Sequence, residues 1–249
     1  MVGGGTATPV CTVTYWAGRG KCEPLRCVLA AAGVCFTNKF LTLETGKAEL
    51  QALRAAGTLA YDQVPLVQID GQDFVQQAPT ASYLGRRFNL LPGDALDIFT
   101  AESVWASAQD ARGPLVGFPF SALPLGPGEA ERQQILQALL GPRGMVGRYA
   151  VKWEAMLGGE GRKWFLGEPS IADVGVFEAL DFFRDVYGSD LFEQTFEPFP
   201  LLRAHFAAVR RLGRLAEYCD VDRKSYDTWD GKAHTKWLEY ARAVRTTLD

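Results

Sequence analysis

The first 90 residues alternate between two hydrophobic periods. Short runs of β-branched and other apolar residues predict strands at 11–16 (CTVTYW), 35–43 (CFTNKFLTL) and 64–69 (VPLVQI). An Asp-Gly turn at 70–71 joins the last of these to a fourth strand, QDFVQ. Apolar residues recur at helical spacing in EPLRCVLAAAGV, GKAELQALRAAG and APTASYLGRRFNL. The resulting order, β-α-β-α-β-β-α, is that of a thioredoxin-like α/β domain with a truncated start.

Beyond residue 94 the strand signals vanish and long helical patterns take over. The stretch 94–120 predicts one helix or a broken pair, because Gly113-Pro114 interrupts its second half. The stretch 133–157 predicts a helix that Gly141-Pro142 kinks. This part of the chain is therefore expected to be helical throughout.

Three more helical patterns complete the chain. One begins at Ser170, one covers 199–212, and an amphipathic pattern covers the tail at 227–248. The predicted organisation is a flexible arm at 1–9, a thioredoxin-like α/β domain at 10–90, and an all-α helical domain with a tail helix at 94–249.

Composition narrows the class of protein. Of the 249 residues 47% are hydrophobic, which is enough to bury a core. Lys and Arg total 26 against 29 Asp and Glu, a net charge of -3, so neither nucleic acid nor an anionic membrane is an expected partner. No apolar run approaches the roughly 20 residues of a membrane span, and the first ten residues lack the pattern of a secretory signal. We expect a cytoplasmic protein with a small-molecule ligand.

The five cysteines do not indicate a metal site or a disulfide framework. They form no CxxC pair and no Cys/His ligand spacing, and the chain has only two histidines. Reduced thiols and no metal are the expectation.

Candidate chemistry begins at Tyr15, in TVTYWAGRGKCEPLRC. This tyrosine ends a predicted strand and faces a glycine-rich turn and a helix N-terminus, where α/β proteins present groups to ligands. A half-buried tyrosine with its hydroxyl in water explains the same spacing equally well.

Three stretches together resemble the cytosolic glutathione S-transferases of the tyrosine type, the alpha, mu, pi and sigma group. They are TYWAGRGKCEPLRCVLAAAGV, AAGTLAYDQVPLVQIDGQDFVQQAPTASYLGRRFNL and FLGEPSIADV, and AAAGVCF and QVPLVQIDG favour the alpha class. The resemblance covers about residues 11–219. It implies a homodimer that uses glutathione as co-substrate, without a further cofactor. The implied reaction joins the glutathione thiolate to hydrophobic electrophiles, with reduction of organic hydroperoxides as an additional activity.

The resemblance assigns roles around the reacting sulfur. Tyr15 matches the catalytic tyrosine, whose hydroxyl donates a hydrogen bond to the thiolate. Lys21 matches a basic position near the thiolate, although a solvated lysine at a helix start explains it as well. Val64 and Pro65 match the cis-proline step, where the Val64 backbone pairs with the cysteinyl backbone of glutathione. Gln63 would help to hold the tripeptide.

The γ-glutamyl end of the site departs from the family pattern. Gln76 matches its expected residue, but Gln77 replaces the small hydroxyl residue that receives the γ-glutamyl carboxylate at a helix N-terminus. Pro79 is also unusual there. The Gln77 amide could act as a substitute donor, or the site could be weakened.

The resemblance also assigns roles to other positions, less specifically. Arg54 matches a basic residue aimed at the glycine carboxylate, or is a solvent-facing helix charge. Asp110 and Arg148 match residues that one subunit presents to the glutathione of its partner. Trp16, Phe118 and the tail are candidates for the wall of the electrophile pocket.

Four residues have other interpretations. Ser170 and Asp173 form a capping box that serves folding, and Arg19 is assigned to structure or the domain interface. Cys22, in a first helical turn, is a minor candidate for thiol transfer.

Two rival functions keep the same fold. One is a scaffold or subunit of a larger assembly with little activity, and the other is a glutathione-dependent isomerase such as a prostaglandin D synthase.

Overall fold

The computed structural model describes residues 10–42, 44–121, 129–158 and 162–226. Its sheet has the strand order β2-β1-β3-β4, in which β1 and β2 run parallel and the other neighbours run antiparallel. The strands are β1 (Cys11–Trp16), β2 (Thr37–Leu41), β3 (Leu66–Ile69) and β4 (Gln72–Val75). Helices α1 (Glu23–Ala31), α2 (Gly46–Ala55) and α3 (Gln77–Arg87) complete the predicted thioredoxin-like order.

Successive side chains of β1 enter two separate apolar clusters because strand residues alternate between the faces of a sheet. Cys11 and Val13 join the main core, whereas Trp16 packs with Leu41 and Leu50 beneath α2. The indole of Trp16 is only 6% exposed. Its prediction as a wall of the electrophile pocket is therefore wrong, since its place in the second cluster leaves almost no surface for a ligand.

The remaining helices form the all-helical part of the molecule. They are α4 (Ala95–Ser121), α5 (Glu129–Leu140), a π-helical segment (Met145–Ala150) that continues as α6 (Val151–Gly158), α7 (Ile171–Tyr187), α8 (Ser189–Phe196) and α9 (Pro200–Val209). The short helix α10 (Leu215–Glu217), a π-helical turn (Tyr218–Asp222) and a 3-10 turn (Arg223–Ser225) follow. Helix α7 is buried along most of its length, and it contacts α4, α1 and α9.

Two predicted interruptions have different outcomes. Gly113-Pro114 does not break α4, where Ala111 and Leu115 are buried and tertiary packing maintains the helix. The chain does turn at 141–144, so the single kinked helix expected there is wrong. A Cβ on Gly144 would lie 1.9 Å from the Ala138 carbonyl oxygen, which explains why glycine occupies the turn.

Not every helix was expected, and two predicted segments lie outside the part of the chain that the structure describes. Helix α8 was not predicted from the sequence. The arm at 1–9 and the tail helix at 227–248 lie outside the described residues. Within the described part of the chain, no helix combines the length and the apolar character needed to cross a membrane.

The capping box predicted at the start of α7 is present. One oxygen of the Asp173 carboxylate accepts the Ser170 N–H at 2.7 Å and the Ser170 hydroxyl at 2.8 Å. The other accepts the Phe165 N–H at 3.1 Å and lies 2.8 Å from Nε2 of His205. Asp173 therefore joins three segments of the helical part. The capping box thus stabilises tertiary contacts as well as the start of α7.

We expect Ser170→Ala to lower the free energy of unfolding by about 1 kcal/mol, the usual cost of a lost N-cap side chain. Asp173→Ala should cost at least about 2 kcal/mol because several buried polar groups lose their acceptor. Thermal or urea unfolding measures both losses, and the activity per folded molecule should be retained. Ser189→Ala, at the exposed start of α8, is the matched control. Equal stability of all three variants would refute the assigned role.

Candidate active site

Tyr15 lies near the end of β1, beneath the loop that leads to α1. Gly20 in this loop has φ +41°, and a Cβ built on it would lie 2.5 Å from the Tyr15 hydroxyl oxygen. Only glycine fits both the backbone conformation and the space, which accounts for the glycine-rich sequence. The loop therefore forms a close cover over the phenol.

The Tyr15 hydroxyl has one hydrogen-bond partner in the part of the chain that the structure describes. The Lys21 N–H donates to the phenol oxygen at 3.1 Å. Burial, the largest influence, raises the pKa of Tyr15 above its ordinary value of 10.0. The phenol is thus neutral at physiological pH, and its own proton remains available for donation to a ligand.

Three side chains hold the carbonyl groups of this loop. Arg26 donates to the Gly18 carbonyl at 2.8 Å, and the side-chain amide of Gln77 donates to the Lys21 carbonyl at 2.7 Å. Arg112, from α4, donates through both Nη1 and Nη2 to the Gly20 carbonyl, each at 3.0 Å. The loop is thereby attached to α1, α3 and the helical domain.

Arg19, in the same loop, enters the interface with α7. Its guanidinium forms ion pairs with Glu178 at 3.1 Å and with Asp181 and Asp185 at 3.2 Å each. The assignment of Arg19 to the domain interface is confirmed. Burial would raise the pKa of the Asp181 carboxyl, but Arg223 and Arg19 outweigh it and hold that pKa well below its usual range.

The segment before β3 has the predicted backbone. The Val64-Pro65 peptide bond is cis, which confirms that part of the prediction. Gln63 is exposed and Val64 is half-buried. The exposed Arg54 donates through Nε to the Asp62 carbonyl at 2.9 Å, so its side chain lies next to this segment.

The N-terminus of α3 lies beside the Tyr15 loop. Gln76 has φ +70° and precedes the helix, and the first intrahelical bond runs from the Thr80 N–H to the Gln76 carbonyl at 3.1 Å. The N–H groups of Gln77 and Ala78 lie ahead of that bond and have no partner within the helix, whereas Pro79 has no N–H. Two backbone donors and the helix dipole therefore face any anion placed here.

The nearby thiol does not have the properties of a nucleophile. Cys22 is buried at the N-cap of α1, and burial raises the pKa of its thiol to about 11. A reactive cysteine requires a lowered pKa and access to solvent. The minor alternative of thiol transfer at Cys22 is therefore contradicted, while Lys21 is exposed as a helix-start lysine would be.

The two residues expected to act across a dimer lie on the helical part and are exposed. Asp110 lines a cavity of about 540 Å³ between α3 and α4, together with Gln77 and Ser82. Arg148 lines a different cavity of about 330 Å³ next to α4. The side chain of Phe118 and the tail lie outside the described residues, so their predicted place at the electrophile pocket stays a prediction.

Sequence reasoning missed the charged residues behind the site. Glu178, Asp181 and Asp185 follow an i, i+3, i+7 spacing in the mainly apolar stretch VGVFEALDFFRDV. That spacing places three carboxylates on one side of a helix and could have indicated buried cationic partners. Arg112 had no comparable signal. Within the described ranges, no cluster of His, Cys, Asp or Glu could hold a metal ion.

Comparison with known proteins agrees with this architecture. The family described as "Glutathione S-transferase, C-terminal domain" matches residues 142–222. Glutathione S-transferase A3 of Homo sapiens is 31% identical over 232 residues, which cover 92% of this chain and 95% of that protein. Glutathione S-transferase alpha-4 of Rattus norvegicus is 29% identical over 235 residues, covering 94% and 96%.

Solved structures show the same fold. A Pi-class glutathione S-transferase of Onchocerca volvulus has a TM-score of 0.68 at 22% identity and covers 89% of this chain and 98% of its own. A prostaglandin synthase D of Nilaparvata lugens has a TM-score of 0.64 at 20% identity, covering 85% and 98%. The names of these two proteins indicate different reactions, so the structural similarity supports the fold and not the reaction. Because the 31% identical relative spans nearly the whole chain, this protein belongs to the glutathione S-transferase family, as its sequence motifs predict.

Proposed function

We propose that this protein is a glutathione S-transferase that conjugates the thiolate of glutathione to hydrophobic electrophiles, with Tyr15 as its catalytic residue. The observation that carries the role of Tyr15 is its hydroxyl, which accepts the Lys21 N–H and keeps its own proton for a ligand. Family membership supports the reaction class.

The chemistry requires only a well-placed donor. A free thiol has a pKa of about 8.5, and only its thiolate attacks an electrophile. A hydrogen bond from Tyr15 to sulfur stabilises the negative charge, so the thiol loses its proton to solvent more readily. The sulfur electron pair then forms the new S–C bond while the leaving group departs with its own pair. Tyr15 stays protonated throughout.

The surrounding groups suit the anionic ends of glutathione. The γ-glutamyl carboxylate would meet the N–H groups at the start of α3 beside Gln76 and Gln77, and the cysteinyl backbone would pair with Val64. Arg54 and Lys21 supply exposed positive charge for the glycine carboxylate and the thiolate. Gln63 would help to hold the tripeptide, and the cis bond before Pro65 sets the backbone of the segment that receives it.

A homodimer is part of this proposal. Large apolar side chains are exposed on α4 and on the loop before the cis bond: Leu96 is 70% exposed, Phe99 67% and Tyr61 64%. Leu96 and Phe99 lie three residues apart on one face of α4, and apolar side chains exposed together favour a protein interface. In a dimer, Asp110 and Arg148 would serve the partner's glutathione. Hydroperoxide reduction and a cytoplasmic location stay predictions.

We expect Tyr15→Phe to lower the rate of conjugation to a generic aryl halide by roughly 10- to 150-fold, because a hydrogen bond to a charged group contributes about 1.5–3 kcal/mol. Tyr83→Phe is the matched control, since its hydroxyl accepts from Arg87 at 2.9 Å on the surface of α3. An unchanged rate in a folded Tyr15→Phe protein would refute the assigned role.

Calorimetric titration with glutathione distinguishes the enzyme from a scaffold. We expect the wild type to bind and, in the same preparation, to conjugate the aryl halide. Gln77→Ala should weaken binding by about 3- to 10-fold, because it removes one hydrogen bond of about 0.5–1.5 kcal/mol that holds the Tyr15 loop. A folded protein that neither binds nor turns over would favour the scaffold.

Mixed dimers test whether Arg148 acts on the partner's site. Co-expressed Tyr15→Phe and Arg148→Ala subunits would form one doubly defective site and one intact site if Arg148 reaches across the interface. We expect such heterodimers to show about half of the wild-type rate at low glutathione, far above either parent homodimer. If Arg148 acted within its own subunit, both sites would be defective and no recovery would be seen.

A further inference from the structure

One peptide unit connects the helical domain with the phenol of Tyr15. The carbonyl oxygen of Gly20 accepts both terminal nitrogens of Arg112, each at 3.0 Å. The N–H at the other end of the same peptide, on Lys21, donates to the Tyr15 oxygen at 3.1 Å. Because a peptide unit is planar, fixing its carbonyl also fixes the direction of its N–H.

Arg112 is itself held in one place. Its side chain is 2% exposed, and Nη2 donates to the Glu178 carboxylate of α7 at 2.9 Å. Glu178 also accepts from Arg19 at 3.1 Å. The guanidinium also lies over the ring of Phe182, 5.2 Å from its centroid. Burial and these contacts limit Arg112 to one orientation, from which its planar fork reaches the Gly20 carbonyl.

The bonds on this peptide reinforce one another. A charged donor at a carbonyl polarises the peptide and makes its N–H a stronger donor. A stronger donor at the Tyr15 oxygen in turn makes the phenol proton easier to share with a bound sulfur. The sequence of contacts therefore runs from α4 through the backbone to the proposed reacting group.

We propose that Arg112 is a positioning residue for Tyr15, which orients and polarises the Gly20–Lys21 peptide so that the phenol donates to the glutathione sulfur. This role rests on the proposed function of Tyr15 and extends the site to the helical domain. The close approach of Gly20 to the phenol makes the peptide an effective link, since no side chain separates the two.

Other charged and titratable groups also face Tyr15. The guanidinium of Arg26, on α1, lies 5.9 Å from the centroid of the Tyr15 ring. Burial raises the pKa of Tyr15, the Lys21 N–H lowers it, Cys22 raises it, and Arg26 and Arg112 lower it. Removal of Arg112 should therefore move the ionisation of Tyr15 to higher pH, with Arg26 unchanged.

The test compares Arg112→Gln with Arg223→Gln. Arg223 is also buried and pairs with Asp181 at 2.7 Å and with Glu23 at 3.5 Å, so it joins the two domains. Its contacts do not include the Gly20–Lys21 peptide, and its loss reports the cost of a buried interdomain arginine alone. Arg112→Lys keeps a positive charge beside Glu178 without the planar fork, and it replaces Arg112→Gln in the comparison if that variant does not fold.

Two measurements are made on each protein. Steady-state kinetics with glutathione and an aryl halide give kcat and KM. An ultraviolet titration of each protein, minus that of the same protein carrying Tyr15→Phe in addition, gives the ionisation of Tyr15. We expect Arg112→Gln to lower kcat by about 10-fold through misplacement of the donor, with KM for glutathione nearly unchanged. The Tyr15 titration should move to higher pH, and Arg223→Gln should resemble the wild type in both measurements.

Two outcomes would overturn the proposal. In one, the folded Arg112 variant matches the wild type in kcat and in the Tyr15 titration. In the other, the Arg112 and Arg223 variants lose kcat equally and leave the titration in place, which indicates packing alone. A wild type that binds no glutathione and conjugates nothing would refute the proposed function, and the role of Arg112 toward glutathione would fall with it. The Tyr15 titration would then still show whether Arg112 acts on the phenol, so the two failures are distinguishable.

Discussion

Buried ion pairs between the sheet domain and the helical domain hold the rest of the structure in place. Arg19 pairs with Glu178 and Arg223 with Glu23 across the boundary, and Arg26 and Arg112 pair with the same two carboxylates from within their own domains. All four arginines are at most 5% exposed. Removing one partner of such a pair typically costs 3–5 kcal/mol, about half the stability of a small domain, because a charge remains buried alone. The two domains therefore define one another's position, and the loop over Tyr15 lies in the middle of this arrangement.

Side chains of the same buried arginines also hold the loop over Tyr15, together with the amide of Gln77. Every carbonyl from Gly18 to Lys21, except that of Arg19, accepts a bond from a side chain. The Arg19 carbonyl accepts the Glu23 N–H at 2.9 Å. A loop whose carbonyl groups are all bonded is held in one conformation, so the Tyr15 hydroxyl that it covers is held in place as well. Pre-organisation of this kind lowers the reorganisation needed when the thiolate forms.

Much of the fold could be predicted from the sequence because its signals are local. The order of strands and helices along the chain and the capping box at Ser170 are each specified by neighbouring residues, whereas the cis bond at Pro65 was implied by the family resemblance. The family resemblance follows from the same short motifs. Trp16 was misjudged because alternation along a strand tells which residues share a face but not which face meets a ligand.

The charged interface could not be predicted for a different reason. Arg19 and Glu178 are separated by 159 positions, and helical spacing identifies a face without naming its partner. Arg112 follows an ordinary helical stretch, and its contact with the Gly20 carbonyl forms only when the chain has folded. Residues that act through the tertiary structure are invisible to motifs, even when they lie one peptide from the candidate catalytic group.

Glu178 has a consequence for the exchange of parts between relatives. Its carboxylate serves Arg19 of the sheet domain and Arg112 of α4 at once, so neither half of the molecule carries a neutral surface where they meet. A chimera that joins this sheet domain to a foreign helical domain would bury Arg19 opposite whatever that domain supplies. A stable chimera therefore requires a donor whose corresponding helix supplies acidic residues in the same register.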